Sequence, residues 1–220
     1  MTLILDYDGT LHDTKALYGA AVRKVLAKLE ADGFTADLSV TDEQLSRYLG
    51  MTADEMWRSF MPALPTNIMK KAAKAVGENM KKGIYLGEAH LYAGVTDALS
   101  TLKADGMRLV ILSNCDKAYL EAHRAHFDLD RFFAGYFPAE SFGYALKAAV
   151  VPHIIERFPD DRYIVVGDRS SDLEAARKNG LPFVGCAYGF GEEGELDGSD
   201  IVISSPWELV SAVRSLVSEQ

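Results

Sequence analysis

Five short apolar runs punctuate the chain: Leu3-Ile4-Leu5, Leu109-Val110-Ile111-Leu112, Tyr163-Ile164-Val165-Val166, Phe183-Val184-Gly185 and Ile201-Val202-Ile203. Each is too short for a helix and lacks the polar alternation of a half-exposed strand, so each predicts a strand buried on both faces. Helical patterns separate the later runs, over 95–103, 118–126, 148–157 and 173–178. Strands alternating with helices predict an α/β fold with a parallel, doubly wound sheet. Gly180-Leu181-Pro182 supplies a helix stop followed directly by a strand start.

Residues 14–88 carry a different pattern, with no buried-strand run. Thr41-Asp42-Glu43-Gln44 and Thr52-Ala53-Asp54-Glu55 each fit a capping box, in which a hydroxyl and a side chain three residues on satisfy free amides at a helix start. Further helices are expected over 20–29 and 68–80. An all-helical block inserted after the first strand is the simplest account, with 1–13 and 89–220 forming the α/β core and 14–88 a helical cap domain. Trp57, Met51, Met56 and Phe60 read as the apolar face of one cap helix.

At 220 residues, 48% hydrophobic and 25% charged, the chain can bury a real core, which excludes disordered and fibrous classes. A net charge of -9 argues against nucleic acid or an anionic membrane as partner. The charge is uneven: residues 14–88 hold 11 Lys/Arg and 9 Asp/Glu, against 12 and 23 for the rest. A mildly positive lid over an acidic body suits an anionic substrate. The opening Met1-Thr2-Leu3-Ile4-Leu5-Asp6 has no basic leader and reaches a carboxylate early, and no stretch of membrane-span length is free of charge. With only Cys115 and Cys186 as thiols, the expectation is a cytoplasmic protein without disulfides.

In open parallel sheets, ligands bind beyond the carboxyl ends of the strands. The residues that follow the strands are therefore the candidates. Asp6-Tyr7-Asp8-Gly9-Thr10-Leu11 follows the first run, Ser113-Asn114 the second, and Gly167-Asp168-Arg169-Ser170-Ser171-Asp172 the third. Four carboxylates and a hydroxyl are expected to converge at one edge. Such a cluster repels itself unless a hard divalent cation with oxygen ligands relieves it, and Mg²⁺ is typical where phosphate completes the shell. A carboxylate at the position of Asp6 can attack a shielded phosphoryl group. Two residues along an extended chain, side chains return to the same side, so Asp8 can protonate the leaving oxygen and later take a proton from water. Gly9 lets the backbone turn sharply. His12, His90, His123, His126 and His153 show no ligand spacing and read as ordinary surface or core residues.

These residues resemble the haloacid dehalogenase superfamily, specifically its phosphatases with a helical cap, over nearly the whole chain. Asp6-Tyr7-Asp8-Gly9-Thr10-Leu11 is similar to the first motif of that superfamily, Ser113 to the second, Lys147 to the third, and Gly167-Asp168 through Asp172 to the fourth. The run from Gly167 to Gly191 resembles the phosphoglycolate-phosphatase-like branch. The resemblance implies a Rossmann-like core, an aspartyl-phosphate on Asp6, and Mg²⁺ held by Asp6, the carbonyl of Asp8 and Asp168, with Asp172 in support. It implies phosphoryl-oxygen contacts from Ser113, with Asn114 beside it, and from Lys147. Ala148 follows Lys147 where many relatives carry proline, and the nearest proline is Pro152.

The expected function is Mg²⁺-dependent hydrolysis of a small phosphorylated metabolite, with neither nucleic acid nor membrane as partner. Asp8 discriminates among the relatives, because dehalogenases and phosphonate-cleaving enzymes lack an acid there. A nucleoside-monophosphate 5'-phosphatase and a sugar-phosphate mutase both fit the same core. A non-catalytic phosphate-sensing module is disfavoured, since every expected carboxylate is present. For selectivity the cap loop Arg47-Tyr48-Leu49-Gly50-Met51-Thr52 is the candidate, with Arg47 binding a second anionic group and Gly50 permitting the turn.

Overall fold

A computed structural model describes residues 1–49, 51–159 and 162–218. The chain forms two compact units, one of Met1–Asp13 with His90–Gln220 and the other of Thr14–Ala89. None of the described helices is long and apolar enough to cross a membrane.

Among the described residues, the first unit is built on six strands: β1 (Thr2–Leu5), β2 (Arg108–Ser113), β3 (Phe133–Pro138), β4 (Tyr163–Gly167), β5 (Phe183–Cys186) and β6 (Ile201–Ile203). Their order is β3-β2-β1-β4-β5-β6 and every pairing is parallel. This is the doubly wound arrangement, whose order reverses between β1 and β4. All residues of β1, β4 and β5 are buried, which is why their sequences are continuous apolar runs. The register places Leu5 opposite both Ile111 and Val166, so β1, β2 and β4 end together at one edge.

Among the described residues, α-helices connect or flank these strands: α5 (Val95–Ala104), α6 (Lys117–His126), α7 (Lys147–Arg157), α8 (Ser170–Lys178) and α9 (Leu209–Ser218). Ile4, Val110, Val150, Val151, Ile154, Val165, Ala175 and Phe183 share one buried cluster, so α7 and α8 pack on the sheet through it. Pro152 lies inside α7 and cannot donate to the Ala148 carbonyl four residues back. The amide of Asn179 donates to that carbonyl at 3.0 Å and to the carbonyl of Ala175 at 2.8 Å. A side chain after the end of α8 thus supplies the hydrogen bond that proline removes.

The second unit is helical: α1 (Thr14–Ala31), α2 (Asp42–Ser46), α3 (Ala53–Phe60) and α4 (Thr66–Tyr85). Both capping boxes form, Thr41 with Gln44 and Thr52 with Glu55. Val22, Leu26, Leu45, Met56, Trp57, Met69 and Ala72 belong to its own buried core. Met56 and Trp57 are buried as the apolar face of α3 predicts, whereas Met51 precedes the helix and is exposed.

Two elements fall outside the sequence expectation. The edge strand β3 reads Phe-Ala-Gly-Tyr-Phe-Pro, and its half-exposed middle carries neither a continuous apolar run nor clean alternation. Proline at its end and glycine within it are edge-strand features. The other is α9, where Leu209, Ala212, Val213 and Leu216 face inward.

Candidate active site

The site residues of the first unit stand where a strand stops or a helix starts. Asp6 is the first residue beyond β1, and its amide still donates to the carbonyl of Val166 at 2.9 Å. Asp168 is the first residue beyond β4, Asp172 lies in the opening turn of α8, and Lys147 is the first residue of α7. One carboxylate oxygen from each of Asp6, Asp168 and Asp172 lies within 4.8 Å of the others, and all three residues are buried.

Lys147 is the cation among them. Its Nζ lies 2.7 Å from Oδ1 of Asp6 and 2.6 Å from Oδ1 of Asp172. The second oxygen of Asp172 accepts the backbone N–H of Arg169 at 3.1 Å. Asp168 accepts the Thr10 hydroxyl at 3.2 Å on Oδ1 and the Phe190 N–H at 2.7 Å on Oδ2. Two glycines pack closely against its carboxylate. Gly9 has φ +85° and a Cβ there would overlap the Asp168 carboxylate, as would one at Gly189.

The electrostatics follow from burial and crowding. Burial first, then repulsion from Asp172 and Asp168, holds the Asp6 carboxyl well above the usual range, against the pull of Lys147. Burial and then Asp172 push Asp168 up to about 7, opposed by the Phe190 amide, Lys147 and Thr10. Burial works against the Lys147 ammonium, but Asp172 and Asp6 outweigh it and raise its pKa. Three carboxylates facing one lysine leave an excess of negative charge in a buried space. All-oxygen donors with uncompensated charge fit a hard divalent cation.

Asp8 stands apart from this cluster. The chain leaves its strand at Leu5 and turns, with the Gly9 N–H donating to the His12 carbonyl and the amides of Leu11 and His12 both donating to the Tyr7 carbonyl. Three of the four predicted carboxylates, Asp6, Asp168 and Asp172, form the tight cluster, and the Asp8 carboxylate is not among them. Oδ1 of Asp8 accepts the Tyr119 hydroxyl at 2.8 Å and lies 3.0 Å from Nδ1 of His12.

Ser113 is buried at the end of β2, and its Oγ accepts the Cys115 N–H at 3.4 Å. Asn114 is exposed on the same turn. In the other unit Arg47 is exposed at the carboxyl end of α2, and Gly50 lies outside the described residues. Sequence reasoning missed Tyr119 altogether and read His12 and His123 as ordinary residues. Tyr119 and His123 are four apart on α6, the one signal that could have paired them.

The chain is similar to known phosphatases. A 5'-nucleotidase of Pseudomonas aeruginosa is 26% identical over 201 residues, covering 88% of this chain and 86% of that protein. A phosphoglycolate phosphatase of Nitrosospira multiformis is 29% identical over 229 residues, covering 96% and 95%. A solved structure from Clostridium acetobutylicum, described as a predicted phosphatase, superposes with a TM-score of 0.77 at 26% identity, covering 100% of this chain and 98% of that one. The family described as haloacid dehalogenase-like hydrolase matches residues 3–186, and the chain belongs to it.

Proposed function

We propose that the protein is a phosphomonoester phosphatase that hydrolyses a small phosphorylated metabolite through an aspartyl-phosphate on Asp6. One observation carries the reading. A buried carboxylate at the switch point of the sheet is paired with a buried lysine, while a second acid two residues on is kept out of the metal-type cluster.

Asp6, Asp168 and Asp172 would hold a divalent cation, which the resemblance implies is Mg²⁺. Bound there, it would offset the charge of the nucleophile and of the phosphoryl oxygens. The remaining steps belong to the chain. A carboxylate oxygen of Asp6 attacks phosphorus as the ester oxygen departs, and Asp8 gives that oxygen its proton. Asp8 then takes a proton from the water that attacks phosphorus, and the Asp6–phosphorus bond breaks to release inorganic phosphate. Lys147 and Ser113, with Asn114 beside it, bind phosphoryl oxygens as they gain charge. Proton transfer of this kind contributes about 10² to 10⁴ in rate. In the helical unit, Arg47 and Gly50 are assigned to substrate selection.

Two substrate classes are favoured by the relatives. Phosphoglycolate is the first, and a nucleoside 5'-monophosphate the second, supported by the Pseudomonas aeruginosa relative. The test is phosphate release from p-nitrophenyl phosphate and from a panel of phosphorylated metabolites, with and without Mg²⁺. Turnover is expected only with the divalent ion, and Asp6→Asn is expected to abolish it. Full turnover by Asp6→Asn, or none by the wild type on any phosphomonoester, overturns the proposal.

A further inference from the structure

Behind Asp8 the first unit buries a group of rings that phosphoryl transfer as described does not use. His12 and His123 are fully buried, as is Tyr7, and Tyr119 is nearly so. His123 sits edge-on to three of them, with ring centroids 4.3 Å from His12, 4.4 Å from Tyr119 and 4.9 Å from Tyr7. Among the described residues, neither ring nitrogen of His123 has a hydrogen-bond partner. Leaving buried polar atoms unpaired is unfavourable, and such an exception calls for a reason. The reason is at the other end of the cluster, where Tyr119 and His12 meet the same oxygen of Asp8.

We propose that Tyr119 and His12 are positioning residues that hold Oδ1 of Asp8, so that the proton Asp8 gives to the leaving oxygen is carried on Oδ2. This rests on the reading of Asp8 as the proton donor. A carboxyl oxygen offers two lone pairs. The Tyr119 O–H fills one, and His12, with its proton on Nδ1, fills the other. An Oδ1 that accepts twice has no lone pair left for a proton of its own, which directs that proton to Oδ2 and fixes the plane of the carboxyl group. His12 is two residues beyond Thr10, so one short turn contributes both a support of Asp168 and a support of Asp8.

The clamp is itself held in place. Tyr119 is positioned by the start of α6, where the Asp116 side chain accepts the Tyr119 N–H at 2.6 Å. Burial and then the Asp8 carboxylate raise the Tyr119 phenol well above its ordinary value, so the hydroxyl stays a donor. Burial and then His12 push His123 down to about 3, which makes it a neutral wall for the other rings.

The test uses two substrates of matched shape, phenyl phosphate and p-nitrophenyl phosphate. Phenolate is the stronger base and needs the proton more. Losing part of the acid's alignment should lower kcat/KM for phenyl phosphate about tenfold more than for p-nitrophenyl phosphate, a fraction of the full general-acid effect. That selective loss is expected for Tyr119→Phe and for His12→Leu. His12→Asn, which keeps an N–H near the position of Nδ1, should restore the wild-type ratio of the two substrates. Asp8→Asn gives the upper bound. A melting curve for each variant separates loss of fold from loss of alignment, and the substrate ratio is independent of how much enzyme is folded. If Asp8→Asn is selective but Tyr119→Phe and His12→Leu lower both substrates equally, the clamp is wrong and the role of Asp8 stands. If Asp8→Asn is itself unselective, Asp8 is not the proton donor and both readings fall.

Discussion

Nζ of Lys147 lies 2.7 Å from Oδ1 of Asp6, and both side chains are buried. Removing one partner of a buried ion pair leaves the other charge uncompensated. Lys147→Met is therefore expected to cost about 3 to 5 kcal/mol in divalent-free buffer, the range for breaking such pairs. Saturating Mg²⁺ should recover part of that loss, because a cation on Asp6 and Asp172 replaces some of the missing charge. Urea titrations with Mg²⁺ and with EDTA check this. Equal destabilisation in both buffers would show that the lysine does not share its carboxylates with a metal.

Asp168 predicts how divalent binding depends on pH. Its carboxyl is raised to about 7 in the folded chain, whereas an unfolded aspartate titrates near ~4. The folded state thus holds the proton more tightly. The stability it contributes without metal is fully present below about pH 4 and is lost as pH rises through about 7. A cation must displace that proton, so Mg²⁺ affinity should climb as pH rises through about 7. Calorimetric titrations at several pH values measure the slope, and a flat profile would contradict the assignment.

Gly9 tests how closely the backbone must approach Asp168. At φ +85° an alanine is strained by about 1 to 2 kcal/mol, and its Cβ also collides with the Asp168 carboxylate. Gly9→Ala should weaken Mg²⁺ binding as well as stability. Gly189→Ala meets the same carboxylate without a positive φ, so it should affect the metal more than the fold. Comparing Kd for Mg²⁺ with Tm in the two variants separates strain from collision.

Asn179 and Pro152 make a prediction remote from the chemistry. Asn179→Ala should destabilise the protein by about 1 kcal/mol or more, since the Ala148 carbonyl then loses its donor. Pro152→Ala restores an N–H within α7 that can reach the same carbonyl. In the double variant Asn179→Ala should be less costly than alone, a coupling that a double-mutant cycle reads directly.

The parts legible in the sequence were those set by local rules. Strands buried on both faces, such as Tyr163–Gly167, must be apolar throughout, and capping boxes such as Thr41 with Gln44 need only four residues. Asp6, Asp168, Asp172 and Lys147 were legible because each stands immediately after a strand or at the start of a helix. The helical edges were less so: α1 runs over Thr14–Ala31 and α4 over Thr66–Tyr85, both longer than their apolar stretches suggest. Polar residues such as Lys15, Thr66 and Lys82 continue a helix without marking it. The Asp8–Tyr119 contact joins positions 111 apart, and no local pattern encodes it. The same holds for Asn179 and Ala148, 31 apart, where a proline's missing donor is supplied from another helix.

The position of β1 in the middle of the sheet has a consequence for how the molecule is made. Thr2 must pair with Arg108 on one side and Tyr163 on the other, yet it leaves the ribosome long before either. In the interval the helical unit, continuous in sequence and with its own core, is synthesised whole. Long-range parallel pairing is slow, and an unpaired strand is exposed while it waits. Asp6, the proposed nucleophile, is thus made before both strands that flank β1, and a nascent chain released before β4 emerges carries Asp6 without Asp168 and Asp172.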